Sequence, residues 1–98
     1  MKIRWMPLAE QDLEAAFDYV RQDNPRAASR LVDRIFRAVE MLGKFPSAGH
    51  PGRVRATREL TISRTPYIVV YRLSGDEVQI LSILHGARRW PMTFGESG

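Results

Sequence analysis

Residues 67–84 read Tyr-Ile-Val-Val-Tyr-Arg-Leu-Ser-Gly-Asp-Glu-Val-Gln-Ile-Leu-Ser-Ile-Leu, and this stretch decides the fold. Residues 67–73 are nearly continuous in β-branched and aromatic side chains, which predicts the central strand of a sheet. Ser74-Gly75-Asp76 is a tight turn. Residues 77–84 return as its partner, with Val78, Ile80 and Leu84 on one side. Just upstream, residues 58–63 alternate, with Leu60 and Ile62 inward, and predict a third strand. The three form an antiparallel meander. Residues 46–57, Pro-Ser-Ala-Gly-His-Pro-Gly-Arg-Val-Arg-Ala-Thr, precede it as a loop rich in Gly and Pro.

Further out, the period changes from two to 3.6. Residues 25–44 carry Ala28, Leu31, Val32, Ile35, Val39 and Leu42 on one helical stripe, flanked by Phe36 and Met41. Residues 8–22 carry Ala9, Leu13, Ala16, Phe17 and Val20 on another. Asp23-Asn24-Pro25 separates the two helices: Asn24 is a good N-cap and Pro25 a good first helical residue. So short a break implies an antiparallel helical hairpin. Pro7 opens the first helix, and residues 2–6 form a short strand before it. The predicted class is α+β, ordered β-α-α-β-β-β, with the helical hairpin packed on a small antiparallel sheet. Residues 1–91 make one domain, and residues 92–98 are expected to be a flexible tail.

Composition narrows the class. There are no cysteines, so neither disulfides nor thiolate metal sites arise. The first residues lack the apolar run of a signal peptide, and no stretch approaches the ~20 apolar residues of a membrane span. The expectation is a cytoplasmic protein without cofactor or metal. The net charge of +4 is unevenly placed: residues 1–23 carry −2, residues 24–72 carry +7 and residues 73–98 carry −1. Most of the basic residues are Arg, whose planar fork suits carboxylate and phosphate; Arg-rich codon usage accounts for the excess equally well.

Pro7-Leu-Ala-Glu-Gln-Asp-Leu13, Asn24-Pro-Arg-Ala-Ala28, Phe45-Pro-Ser-Ala-Gly-His-Pro-Gly-Arg53, Thr57-Arg-Glu-Leu60, Pro66-Tyr-Ile-Val-Val-Tyr71 and Leu84-His-Gly-Ala-Arg-Arg-Trp-Pro91 stand in this order along the chain. Taken together, these segments resemble the RelE/ParE toxin superfamily of type II toxin–antitoxin systems. The resemblance spans residues 2–91. It implies a growth-inhibiting toxin, of the kind that stabilises plasmids, held in a hetero-oligomer by a cognate antitoxin. One branch of the superfamily cleaves messenger RNA on the ribosome. The other, the ParE branch, inhibits DNA gyrase and is neutralised by a ParD-like antitoxin with an acidic C-terminal segment. Direct, specific DNA binding by the toxin is not expected, because no helix-turn-helix signature precedes the basic helix.

RNA cleavage by 2′-hydroxyl attack needs a base, an acid and positive charge beside the phosphate. In the ribonuclease branch the middle strand typically opens with an aromatic residue followed by Arg. In this chain Tyr67 is followed by Ile68, and losing such a donor typically costs ~2.7–4 kcal/mol of transition-state stabilisation. No Tyr follows Tyr71, where ribonuclease members often place one. Substitutes are conceivable: Glu59 as base, His85 as acid, Arg58 or Arg88 as phosphate clamp. Each has a structural alternative, namely an ion pair for Glu59 and a hydrogen-bonded turn residue for His85. Tyr67 and Tyr71 share a face and read as core with satisfied hydroxyls. The reading is therefore the ParE branch without catalysis. A ribosome-dependent mRNA endonuclease is the alternative, and a binding module that has lost toxicity the third.

A toxin without chemistry acts through surfaces. Arg26, Arg30, Arg34 and Arg37 recur at helical spacing and form a basic ridge expected opposite the core, the candidate antitoxin surface. Arg53, Arg55, Arg58 and Arg64, with Arg88 and Arg89, are expected to converge at one edge of the sheet as the target surface. Trp90 serves there as apolar anchor or, alternatively, as a cap on the core.

Overall fold

Asn24 sets where the helical hairpin bends. Its side chain accepts a hydrogen bond from the Ala27 amide at 3.1 Å, its own amide donates to the Val20 carbonyl, and Pro25 begins the next helix. One residue thus closes helix α1, Pro7–Asp23, and opens α2, Pro25–Lys44. The computed structural model describes residues 1–87 together with Trp90 and Phe94. Its remaining elements are strands β1 (Lys2–Trp5), β2 (His50–Pro51), β3 (Arg58–Thr61), β4 (Tyr67–Ser74) and β5 (Glu77–His85).

The five strands form one sheet in the order β1-β5-β4-β3-β2, which puts β4 in the middle. The meander β3-β4-β5 is antiparallel. The sheet as a whole is mixed rather than purely antiparallel, because β1 pairs in parallel with β5, Lys2 opposite Glu77 through Trp5 opposite Ile80. The helical hairpin and the meander lie between these two strands in sequence, so β1 reaches the free edge of β5 by a crossover, and a crossover permits parallel pairing where a tight turn does not. A two-residue strand, β2, also emerges from the segment expected to be loop throughout.

Both faces of the sheet are covered. The helix-facing core joins Ala9 and Ala16 of α1 and Leu31, Ile35, Val39 and Leu42 of α2 to Tyr67, Val69, Tyr71, Val78, Ile80 and Ile83. The second face holds a smaller cluster of Val54, Val70, Leu81 and Phe94, with Ile68, Leu84 and Trp90 packed against it. Such two-sided burial is the reason β4 lacks a polar alternation. Phe94 lies beyond the predicted domain boundary and is nonetheless buried, so packing extends past residue 91. The rest of the expected tail, residues 92, 93 and 95–98, lies outside the described residues.

Where β4 and β5 pass from Val70 opposite Ser82 to Tyr71 opposite Ile80, Leu81 is an extra residue and the strand bulges. Asp12 of α1 serves this bulge: its carboxylate accepts hydrogen bonds from the Ser82 hydroxyl and, at 3.0 Å, from the Ile83 amide. A bulge frees ladder groups, and here a helix side chain satisfies one of them. Val32 and Phe17, predicted to face the core, instead line a shallow groove on the outer side of the hairpin, between α1 and α2.

Candidate functional site

The loop between α2 and β3 is pinned from three directions. The Tyr71 hydroxyl donates to the Pro46 carbonyl at 2.8 Å and accepts from the Gly49 amide at 2.9 Å. One Arg58 nitrogen, Nη2, donates to the carbonyls of Ser47, at 3.1 Å, and Gly49. Glu59 is almost fully buried and accepts from the Arg53 amide at 2.7 Å and from its Nε at 3.2 Å. The Arg53 guanidinium also lies over the Trp90 ring, 3.7 Å from its centroid, a cation–π contact. Arg58 and Glu59 thus act as the loop's internal hydrogen-bonding partners.

The strand register also separates the conceivable catalytic groups. Residues directly opposite one another across an antiparallel ladder share a face of the sheet. Arg58 stands opposite Tyr71 and His85 opposite Tyr67, both on the helix-facing side. Glu59 stands opposite Val70, on the second face. Glu59 and His85 are therefore on opposite faces, and about three residues apart along β4, roughly 10 Å. Arg58 and His85 share a face but are four positions apart, about 13 Å. The His85 ring meets Tyr67 edge-on at 5.6 Å between centroids, and its Nδ1 accepts from the Ala87 amide at 3.2 Å. Ile68 packs into the second-face cluster, so the position that resembles the ribonucleases' Arg is occupied by a core contact. No group of three or more His, Asp or Glu among the described residues could hold a metal ion.

The arginines are distributed differently from expectation. Arg53 and Arg55 lie in the loop before β3, and Arg64 lies after its end. β3 itself, about 14 Å long, separates them, so Arg64 does not converge with Arg53 and Arg55. Arg64 instead lines a groove with Arg30 and Arg34 of α2. Arg30, Arg34 and Arg37 of the α2 ridge border grooves between α2 and the residues around β3 and the β3–β4 turn. Arg26 is exposed near the start of α2. Arg88 and Arg89 lie outside the described residues. Trp90 is half-buried in the second-face cluster, with no hydrogen-bond partner for its indole N–H among the described residues. Asp12 is not among the residues the sequence singles out, because it is one of several acidic residues early in α1, where the helix dipole favours negative charge.

A family model described as the ParE toxin of the type II toxin–antitoxin system parDE matches residues 3–90. The chain belongs to the ParE toxin family. Among curated relatives of this ParE-family toxin, Y4kP, a candidate toxin of Sinorhizobium fredii (strain NBRC 101917 / NGR234), is 43% identical over 90 residues, covering 92% of this chain and 93% of the relative. Toxin ParE3 of Caulobacter vibrioides is 35% identical over 85 residues, covering 86% of this chain and 84% of the relative. Toxin RelE2 of the same organism is 33% identical over 87 residues, covering 89% and 97%. A solved structure described as the chromosomal ParDE system from P. aeruginosa superimposes with a TM-score of 0.77 at 34% identity, covering 85% of this chain and 92% of that one. The ParE-family toxin thus shares its two-helix, mixed-sheet architecture with a member of a ParDE pair. No helix among its described residues is long and apolar enough to cross a membrane.

Proposed function

We propose that this ParE-family toxin arrests growth by binding DNA gyrase without catalysis, and that a ParD-like antitoxin neutralises it in the cytoplasm. The observation that carries the non-catalytic reading is the separation of Glu59 from His85 on opposite faces of the sheet. General acid–base catalysis needs both groups within hydrogen-bond reach of one substrate. The internal use of Arg58 by the Ser47 and Gly49 carbonyls, and the hydrocarbon of Ile68, support the same reading. On this reading the target surface is the exposed loop bearing Arg53 and Arg55, with Trp90 against Arg53; Arg88 and Arg89, assigned to the same surface from the sequence, lie outside the described residues. Arg58 belongs to its support, and Arg64 to the antitoxin side with Arg30, Arg34 and Arg37.

The test is a supercoiling assay with purified toxin and gyrase, run beside a ribosome-programmed translation reaction with mapped transcript ends. Dose-dependent loss of supercoiling with intact transcripts is expected. Site-specific transcript cleavage with gyrase unaffected would overturn the proposal in favour of the endonuclease. Inactivity in both reactions would overturn it in favour of a binding module that has lost toxicity.

A further inference from the structure

The groove between α2 and the β3–β4 turn brings together three guanidiniums from distant parts of the sequence. Arg30 and Arg34 contribute from one helix face and Arg64 from the turn, around a space of about 260 Å³. Apolar Val20, Ala27, Leu31 and Pro66 line it beside the arginines, and Thr65 and Tyr67 complete the lining. None of the three arginines has an ion pair or hydrogen bond to another described residue; the ion pairs among the described residues lie elsewhere, Arg4 with Glu77, Arg21 with Asp18 and Arg53 with Glu59. Arg64 also sits in the left-handed backbone region, at a φ of 65°. That conformation is unfavourable for a residue with a Cβ and persists where the surroundings impose it. Thr65 does so: its hydroxyl donates to the Ile62 carbonyl at 3.0 Å and accepts from the Tyr67 amide at 3.1 Å. The turn therefore holds Arg64 across from α2 in advance of any partner.

The groove does not end there. Arg34 also borders a second hollow, shared with Arg37 and floored by Ala38, Leu60 and Ile62. From Arg30 to Arg37 the cationic rim runs along two turns of α2, about 10 Å at 1.5 Å per residue. The hollow on the opposite flank of α2 has the opposite sign: Glu10, Glu14 and Asp33 surround Leu13, Phe17 and Val32. A partner crossing the helical hairpin meets acid on one flank and base on the other, which fixes the direction in which it can lie.

We infer that the Arg30/Arg34/Arg64 groove is a carboxylate clamp that receives an acidic segment of the antitoxin carrying apolar anchors, and that Arg64 is a specificity determinant for that segment. This rests on the antitoxin reading above. Apolar side chains beside guanidiniums suit alternating aliphatic and acidic side chains. The planar fork of Arg pairs with a carboxylate at two points, which Lys cannot match.

The experiment measures association and dissociation between full-length toxin and the product of the reading frame beside its gene, at low and high salt. R30Q/R34Q/R64Q should weaken binding about 100-fold at low salt and flatten the salt dependence, as removal of three charge-assisted contacts does. R64Q and R64K should each lose affinity, by about tenfold and about threefold, since the lysine keeps charge without the fork. R21Q, whose partner is on its own helix, should change binding less than about twofold. Wild-type affinity in R64Q and R64K, or in a triple variant with an intact unfolding transition, would overturn the clamp while leaving the toxin–antitoxin pairing in place. Failure of the wild-type toxin to bind the neighbouring product at all would overturn the antitoxin reading, and the clamp with it.

Discussion

The Tyr71 hydroxyl accepts the Gly49 amide at 2.9 Å, so the middle of the central strand holds the loop that leads into β3. The same oxygen donates to the Pro46 carbonyl, and both contacts are lost together in Tyr71→Phe. Removing one partner from buried polar groups costs about 1–3 kcal/mol, and that loss is expected in denaturant unfolding. Gly49→Ala should destabilise by a comparable amount. A Cβ there would stand 2.6 Å from the Glu59 carbonyl oxygen and 2.7 Å from the Tyr71 hydroxyl, and overpacking of that kind typically costs about 1–3 kcal/mol. A wild-type midpoint in either variant would show that the loop is not anchored at this point.

Glu59→Gln should reduce stability without abolishing toxicity. The buried carboxylate serves the Arg53 amide and guanidinium, and a neutral amide offers weaker acceptance, at a cost of about 1–2 kcal/mol. Growth arrest normalised to soluble toxin should remain within a few-fold of wild type, because protein folded at 37 °C still presents the same surface. His85→Ala should behave likewise, since its ring contributes an edge contact to Tyr67 and one acceptor to Ala87. Complete loss of growth arrest in a folded variant at either position would restore the endonuclease reading.

Arg53→Ala tests the junction of loop and C-terminal segment. It removes the cation above Trp90 and leaves the Glu59 carboxylate buried without its guanidinium, together about 2 kcal/mol. In a Trp5→Phe background the fluorescence of Trp90 reports the change directly, and its emission should move to longer wavelength as water reaches the ring. An unshifted spectrum would mean that Arg53 does not cover the indole.

Much of this architecture was legible before any coordinates. The helices were bounded by residues with unambiguous local chemistry, Pro7, Asn24 and Pro25, and the observed spans differ from the predicted ones by a residue at most. The strands β4 and β5 announced themselves through Tyr67–Leu73 and Val78–Leu84. The parallel pairing of β1 was not legible, because four residues of alternating burial fit either direction and the crossover that decides it is tertiary. The arginine groupings were misjudged for a related reason. Residues close in sequence, Arg58 and Arg64, were placed together, but β3 carries them to opposite ends of an extended segment. Helical periodicity located Arg30 and Arg34 on one face correctly, yet it has no means of showing that a turn from the sheet comes up beside them.

Asp12→Ala should separate helix packing from strand pairing. The carboxylate is what α1 offers to the bulged stretch of β5, and its removal leaves the Ser82 hydroxyl and the Ile83 amide without that acceptor. A loss of about 2 kcal/mol is expected, with hydrogen exchange accelerated at Ile83 more than at Val69, which lies on the neighbouring strand. Equal acceleration at both amides would place the effect in global stability rather than at the bulge.

Lys2 lies beside Glu77, and that adjacency has a temporal meaning. The two residues are 75 positions apart in the chain (77 − 2), and long-range closures of this kind are slow. Until β5 is made, α1 lacks the strand on which it chiefly packs, although β3 and β4 can already pair. Docking of the first helix consequently waits on β5, and a premature stop before that strand yields a fragment in which α1 has lost its main support.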